Sequence, residues 1–345
     1  MKFQCGLLLT ACVVFVTPHS LYAEGESRFV GVGQAVLPQN PDVLKAPKKK
    51  PGLILPKKFK AMNYVRLTKD KKGVPQSMQT AVVRFVPGKG QNKLVVDLVG
   101  VVHMADGHYY RQLNQIFNDY DVVLYELVAP KGVRPQRGRR SDNPLAMIQR
   151  AMTIFLGLES QVEAIDYNQK NFVHADLSPT EMMQAMKKRG DDMFTIGLSV
   201  LADVLRQQNL AVKKMQNNPR GNQPPLDPLK MLSDPKGPSQ LKRMLAESLA
   251  ESAGGEGLGQ TLTRMLVDDR NAACMKVFQQ QLVNGKKKIA IFYGAAHMPD
   301  FEKRLIQDYG MRRDRVNWLD AWDLTPREVT PLELLLKLQR LMDTN

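Results

Sequence analysis

The chain has 345 residues, and its 49 Lys and Arg against 34 Asp and Glu give a formal net charge of +15. This length is enough for one large or two ordinary domains with a sizeable core. Of the three cysteines, Cys5 and Cys12 lie near the amino terminus, so Cys274 alone remains, which excludes an internal disulfide framework and a thiolate metal cluster. We expect Cys274 to be a buried packing residue, because it lies within a helical pattern.

The first 23 residues have the layout of a secretory signal peptide, with a charged start, an apolar run at 5–16 and a cleavage position after Ala23. The apolar run is too short to span a bilayer, and no later stretch is long and apolar enough. We therefore predict a periplasmic or extracellular protein without a transmembrane segment. Lipoprotein processing at Cys12 is the less favoured alternative, because it would leave an unusually short apolar segment before the cysteine.

Residues 24–62 are rich in Pro and Lys and lack hydrophobic periodicity, which indicates an extended basic arm before a single α/β domain at 63–345. Basic residues also concentrate at 131–140, just beyond a predicted strand. We interpret these segments as solvated surface, and weak contact with acidic envelope polymers is the alternative. Specific nucleic-acid binding is not expected, because no aromatic residues alternate with the basic ones and no nucleic-acid motif is present.

The stretch at 94–128 predicts a strand, a short polar turn, a helix and a second strand. The first strand is almost wholly apolar, as expected for a strand buried on both faces, and it leads into Gly100 and His103. The second strand carries Glu126. Two strands joined by a helix are normally parallel, so we expect His103 and Glu126 at the same carboxyl edge of one sheet, where open α/β sheets bind ligands.

The same pattern recurs near the other end of the chain. An apolar strand at 288–293 leads into Gly294 and His297, and a helix and a strand at 316–322 follow. We therefore predict an internal duplication of a β-GxxH-α-β unit within a mostly parallel central sheet. The recurrence of the whole setting carries this prediction, because one Gly-x-x-His motif alone is weak.

An aspartate follows each histidine by three positions. Asp106 and Asp300 fall where the predicted helices begin, so each is expected to cap free backbone donors. Gly100 and Gly294 are expected to let the backbone turn tightly at the strand ends. His108 is expected on the surface of the first helix.

Between the two units, residues 144–282 are mostly helical in pattern and predict a helical insertion that covers the carboxyl edge of the sheet. Ser178 and Glu181 form a capping box for one of its helices. His174 and Asp176 precede that helix and are expected either as loop structure or as support for the site. The predicted elements are a helix at 144–156, a strand at 162–167 and helices at 179–188, 191–215 and 258–283, and a last helix at 331–342 follows beyond the second unit.

In the helix at 258–283, Asp269 falls on the apolar face, where a carboxylate is costly unless it is paired. Arg270 and Asn271 follow it directly. Asp269 and Arg270 either pair with each other or serve the site.

Two imidazoles and a carboxylate at one sheet edge are the ligands that a divalent catalytic metal prefers. We predict His103 and His297 as ligands of a metal such as Mn, Co, Zn or Fe, and Glu126 as the third ligand or the general base. Such a site leaves a position open for water, whose pKa the metal lowers. Arg270 is predicted as a catalytic residue that neutralises a developing oxyanion or holds Glu126 in place.

At these residues the chain resembles the TraB/TIKI/GumN family, over about 94–322. The residues that carry the resemblance are Gly100 with His103, Glu126 on the following strand, the triplet Asp269-Arg270-Asn271, and Gly294 with His297. The resemblance implies an α/β fold related to erythromycin esterase and ChaN-like proteins, and the metal-dependent protease activity ascribed to TIKI members. The triplet begins with Asp where Glu is more usual, and the shorter side chain reaches less far.

We therefore expect an exported metal-dependent hydrolase that acts on a peptide or a small amide or ester. The alternative is a metal- or haem-binding envelope protein of ChaN-like type without turnover. A third hypothesis is an envelope interaction protein with a vestigial site. In the first two, the supporting residues around the metal are Asp269, Asn271, His174 and Asp176.

Overall fold

A computed structural model of the protein describes residues 61–88, 93–135, 144–188, 234–252 and 267–330, together with residues 332, 333, 335, 336 and 339. The predicted signal peptide, nearly all of the basic arm, the predicted helix at 191–215 and most of the predicted last helix lie outside the described residues. In the part that is described, no helix combines the length and apolar character needed to cross a membrane.

The strands of the described residues are, in chain order, β1 Val65–Lys69, β2 Pro75–Pro87, β3 Val95–Val101, β4 Met104–Ala105, β5 Val122–Tyr125, β6 Glu159–Ser160, β7 Phe172–His174, β8 Lys288–Gly294 and β9 Met311–Asp323. The helices are α1 Gly107–Phe117, α2 Pro144–Leu156, α3 Gln161–Ala164, α4 Pro179–Lys188, α5 Gly237–Ser252, α6 Asp269–Val283 and α7 Met298–Gln307, with a 3-10 turn at Ala295–His297. The protein is therefore mixed α/β, as predicted.

The parallel part of the sheet has the strand order β3-β8-β5-β7. The strand β8 lies at its centre and is buried from Ile289 to Gly294, since neighbours cover both of its faces. Phe292 contacts Phe117 of α1, with ring centroids 4.7 Å apart, whereas Tyr293 contacts Phe301 of α7 at 5.1 Å. Because successive strand residues point to opposite faces, α1 and α7 cover opposite sides of the sheet.

The other part of the sheet is antiparallel and is built on the long strand β2. Along one side β2 pairs with β1 and β3, and along the other it pairs with β9. Since β3 and β9 are both antiparallel to β2, β9 runs in the same direction as β3 and β8. The connection from β3 through α1 to β5 passes over β8, and that from β8 through α7 to β9 passes over β3 and β2.

One prediction within the insertion is wrong, and one strand of the insertion was not predicted. Residues 162–167 were expected as a strand, but Gln161–Ala164 is a short helix and Ile165 is extended. Phe172–His174 forms the strand β7, which was not predicted and which pairs in parallel with β5. The insertion is therefore not purely helical, because it supplies a strand to the main sheet.

Of the capping predictions, the one for Ser178 and Glu181 is confirmed and the one for Asp106 is wrong. The capping box is confirmed, since the Ser178 backbone N–H donates to Glu181 at 2.8 Å and Glu181 N–H donates to Ser178 Oγ at 3.2 Å. Asp106 stands at the start of α1 but makes no cap hydrogen bond with its side chain. It accepts instead from Lys242 Nζ at 2.7 Å and from the backbone N–H of Asp323 at 2.5 Å. The cap prediction for Asp106 is therefore wrong, because two segments distant in sequence compete for its carboxylate.

Of the predicted helix at 258–283, residues 267–283 are described, and α6 begins at Asp269. Gly285, just past its end, has a φ of +78°, which favours glycine. Cys274 is fully buried in α6, as expected, and burial raises the pKa of its thiol.

A buried ion pair joins β2 to β3. Asp97 is 2% exposed, accepts two hydrogen bonds from Arg84 at 2.9 and 2.7 Å, and accepts a third from Tyr120 at 2.6 Å. We expect Asp97→Asn to lower the free energy of unfolding by about 3 kcal/mol, because it leaves the Arg84 charge without its partner. Urea unfolding measures the loss. Asp314→Asn removes the exposed partner of Arg312 and should cost less than about 1 kcal/mol. Equal losses in the two variants would contradict the assignment.

Candidate functional site at the carboxyl edge of the parallel strands

Each of the four parallel strands ends at the same edge, and each is followed by a polar side chain that faces one region. His103 follows β3, Glu126 follows β5, Asp176 follows β7 and His297 follows β8. The sheet register explains this, because Val101 lies beside Gly294, and Tyr125 lies between Phe292 and His174. The edge therefore brings together residues that are almost 200 positions apart.

Gly294 lies at the centre of this group. A Cβ atom at this position would lie 3.4 Å from Glu126 Oε2, 3.7 Å from His103 Nε2 and 3.8 Å from His297 Cδ2. The two imidazoles and the carboxylate thus border one small space in front of the Gly294 backbone. Its φ of −52° is one that any residue can adopt, so this space, rather than a tight turn, accounts for the glycine.

Gly100 is glycine for a different reason. A Cβ there would lie 3.2 Å from Met298 Cγ and 3.4 Å from both Ala81 O and Tyr64 Cδ1. Its backbone is not among the left-handed glycines of the described residues. The expectation that both glycines permit tight turns is therefore wrong, because Gly100 permits close packing and Gly294 leaves room for the site.

Arg270, in the first turn of α6, joins two buried carboxylates. It donates from Nη2 to Glu126 Oε1 at 2.7 Å, and from Nε and Nη2 to the Asp176 carboxylate at 3.0 and 2.5 Å. The side chains of Arg270, Glu126 and Asp176 are 7%, 9% and 0% exposed, so solvent screens these contacts little. The other Glu126 oxygen accepts from the Gly294 backbone N–H at 2.7 Å. Glu126 is therefore held at both oxygens.

Two opposing effects set the charge of Glu126. Burial raises its pKa, but Arg270 and the imidazoles of His297 and His103 outweigh burial and hold the pKa well below its ordinary value. Glu126 and Asp176 together carry one more negative charge than Arg270 offsets. The site is therefore electrostatically suited to a cation or a protonated imidazole beside Glu126.

Both histidines are bound through Nδ1 to a side-chain amide. His297 Nδ1 lies 2.7 Å from Asn271 Oδ1, and His103 Nδ1 lies 3.0 Å from Gln161 Oε1. Each ring can then present Nε2 to the shared space, as metal-bound histidines do when the other nitrogen is held by an oxygen.

The distances fit a metal ion in part. His297 Nε2 lies 3.5 Å from Glu126 Oε1, and two atoms that are each about 2.1 Å from a tetrahedral zinc lie about 3.4 Å apart. As the side chains stand, however, no three His, Cys, Asp or Glu residues within the described ranges form a complete ligand group. Arg270 and the Gly294 N–H also bind the two Glu126 oxygens. His103 and His297 are the residues that would hold a cation in this space, and a bound cation would share Glu126 with Arg270.

The remaining predicted site residues have other positions. His174 Nε2 lies 2.5 Å from the Leu127 carbonyl oxygen, so this imidazole holds the segment just after Glu126. Asp269 is half-buried in the first turn of α6. Asn271 binds His297, and Asp176 binds Arg270. His108 is exposed, as expected.

Sequence reasoning missed the role of two residues that bind this group. Gln161 holds His103, and Asp300 accepts from Asn271 Nδ2 at 2.9 Å. Nothing local marked Gln161, since it precedes a segment that was predicted as a strand. Asp300 was singled out, but as a helix cap, and that prediction is wrong because Asn271 and Arg304 bind its side chain.

Comparisons with protein-family models, curated proteins and solved structures gave no match for this chain. The resemblance to the TraB/TIKI/GumN family therefore stays a prediction, and the function is argued below from the site.

The two motif glycines provide a matched test of the shared space. We expect Gly294→Ala to fold with nearly normal stability, because its methyl group meets only ordinary contacts, but to lose ligand binding because the methyl occupies the space between the imidazoles. Gly100→Ala should lower the unfolding free energy by about 1–3 kcal/mol through overpacking, with the site intact in the folded protein. Urea unfolding and metal titration of both variants measure the two effects. Normal metal binding by Gly294→Ala would show that the space is not the binding site.

The role of Arg270 has a pH signature. Arg270→Met leaves the buried carboxylates of Glu126 and Asp176 without their cation, and it should lower the unfolding free energy by about 3–5 kcal/mol at pH 7. In the wild type the low pKa of Glu126 stabilises the fold above pH about 4.5, and this contribution is lost as the pH falls through the lowered folded pKa. The variant lacks Arg270, the cation that most lowers the pKa of Glu126, so burial raises this pKa. Acidification toward pH 4 then neutralises the buried carboxylate in the variant. The gap in unfolding free energy between variant and wild type should therefore become smaller.

Urea unfolding of both proteins between pH 7 and pH 4 measures that gap. Arg304→Met is the control, since the Arg304–Asp300 pair is about a quarter exposed and its loss should cost less. A gap for Arg270→Met that is constant with pH would contradict the assigned electrostatics.

Proposed function

We propose that the protein is an exported metal-dependent hydrolase that cleaves a peptide or another amide or ester bond. The observation that carries the proposal is the convergence of His103 Nε2, His297 and the Glu126 carboxylate around the open face of Gly294. The carboxyl edge of parallel strands is the usual place for chemistry in α/β folds. The resemblance to TIKI-type proteases supplies the substrate class.

In this proposal His103 and His297 would hold the metal, and their Nε2 atoms would be the ligands. The bound ion would lower the pKa of a coordinated water and polarise the substrate carbonyl. Glu126 Oε1, which lies 3.5 Å from His297 Nε2, would be the group that takes a proton from the attacking water. Arg270 keeps Glu126 ionised and fixes its orientation, so it acts as a positioning residue, which is the second of the two roles predicted for it from the sequence. Asp176 in turn orients Arg270.

A second candidate is a hydrolase in which the imidazoles act without a metal. The specific observation in its favour is that Arg270 and the Gly294 N–H already occupy both Glu126 oxygens. Glu126 would then pair with a protonated His297, 3.5 Å away. His103 would serve as the general base, since its Nε2 borders the same space.

The finer architecture is also proposed. The segment from β3 to β5 and the segment from β8 to β9 share the order strand, Gly-x-x-His corner, helix and strand. We attribute this order to duplication of one β-GxxH-α-β unit. The copies have since diverged, because β5 joins the parallel strands, whereas β9 pairs with β2 at the antiparallel side.

The decisive experiment is metal analysis by mass spectrometry on full-length protein purified without chelators. We expect bound metal in the wild type and its loss in His103→Ala and in His297→Ala. His108→Ala is the matched control, because this histidine is exposed on α1. Glu126→Gln should lower hydrolysis of a peptide and ester library by about 10²–10⁴-fold.

The outcomes separate the candidates. Unchanged metal in both histidine variants would refute the metal proposal. Hydrolysis that survives removal of metal by a chelator would favour the metal-free mechanism. Metal-replete protein that binds haem or iron tightly and cleaves nothing in the library would instead support a ChaN-like binding protein.

A further inference from the structure

Each of the two site histidines is held by one amide residue at two points. Asn271 accepts at Oδ1 from His297 Nδ1 at 2.7 Å and donates from Nδ2 to the His297 carbonyl at 3.0 Å. Gln161 binds His103 Nδ1 through Oε1 at 3.0 Å and donates from its backbone N–H to the His103 carbonyl at 2.9 Å. Asn271 and Gln161 thus each clamp one histidine by binding its Nδ1 and its carbonyl oxygen. Asn271 belongs to α6, whereas Gln161 is the first residue of α3.

The protonation of His297 follows from its clamp. Asn271 Nδ2 donates to the His297 carbonyl and to the Asp300 carboxylate, and both of these groups only accept. The oxygen and nitrogen of the Asn271 amide therefore cannot exchange positions, and Oδ1 faces the imidazole. Because Oδ1 only accepts, Nδ1 must carry a proton. In the neutral ring Nε2 then carries the lone pair.

The orientation of the Gln161 amide is less constrained, because its Nε2 contacts a hydroxyl group. Gln161 Nε2 lies 3.0 Å from the Tyr167 hydroxyl, which can accept or donate a hydrogen bond. Gln161 and Tyr167 are both 3% exposed, and burial raises the pKa of Tyr167, so its hydroxyl keeps its proton. The short ladder between β4 and β6 fixes the backbone of this region, since Met104 pairs with Ser160 directly before Gln161.

We propose that Gln161 is a positioning residue that holds His103 with Nδ1 protonated and Nε2 free, as Asn271 holds His297. The two imidazoles then present equivalent lone pairs to the space in front of Gly294. This inference rests on the proposed function only in naming the ligand atom of His103.

The direct test is nitrogen NMR of the neutral imidazoles in the metal-free full-length chain, labelled with ¹⁵N-histidine. The chain has five histidines, so a His103→Asn variant suffices to assign the His103 signals. We expect the wild type to have a protonated Nδ1 and an unprotonated Nε2 at His103. A proton on Nε2 in the wild type would overturn the proposal, whatever the protein does as an enzyme.

Two substitutions separate an accepting from a donating role of Gln161. Gln161→Glu keeps an oxygen that can accept from Nδ1, so the tautomer should be retained. Gln161→Met has a similar size and keeps the backbone bond to the His103 carbonyl, but it removes the acceptor, so the fixed tautomer should be lost. The reverse pattern, with the tautomer lost in Gln161→Glu and kept in Gln161→Met, would sink the proposal.

Zinc affinity, measured by calorimetry, gives the second readout. Gln161→Met should weaken binding about 10–100-fold, as other losses of a partner to a ligating histidine do. Gln161→Glu should stay close to the wild type, and Gln115→Met, at an exposed position of α1, is the control. If the wild type binds none of zinc, manganese, cobalt and iron, the metal proposal fails, while the NMR result still decides the role of Gln161. Equal weakening by Gln161→Met and Gln161→Glu would contradict the positioning role.

Discussion

The pairing of Arg270 with Glu126 and Asp176 is the constraint on which the site depends. Two carboxylates at the ends of neighbouring strands would repel each other in a buried place, and one guanidinium with a fixed fork of donors satisfies both. The same contact fixes the first turn of α6 against the sheet edge. Asn271, the next residue, is thereby brought to His297. A single helix turn thus sets both the ionisation of the carboxylate and the orientation of one imidazole.

The features that the sequence predicted are those that short-range patterns encode. Apolar runs located β3 and β8, and the rule that strands joined by a helix run parallel placed His103, Glu126 and His297 at one edge. Arg270 and Asn271 were singled out because they adjoin an expensive carboxylate on a helix face and belong to the triplet that carries the family resemblance. These inferences needed only periodicity, strand direction and the cost of burying charge.

The features that were missed depend on contacts between distant segments. The strand β7 has three residues, too few for a period, and it exists because β5 offers a free neighbour position. Asp106 was expected to cap a helix, yet Lys242 and Asp323 hold it. Gln161 gained its contact to His103 only through the fold around it. A local sequence pattern does not show which distant segments contact a side chain. The partners of Asp106 and the contact of Gln161 with His103 are therefore visible only in the structure.

The strand β9 also stabilises the turn after β3 that carries His103. Trp322 donates from Nε1 to the Met104 carbonyl at 2.6 Å, and Asp323 N–H donates to Asp106. During synthesis from the amino terminus, the ribosome therefore releases the segment after β3 long before its support emerges. The turn that carries His103 therefore cannot have all of its contacts until β9 has joined the sheet, so formation of the pocket is coupled to pairing of β9 with β2.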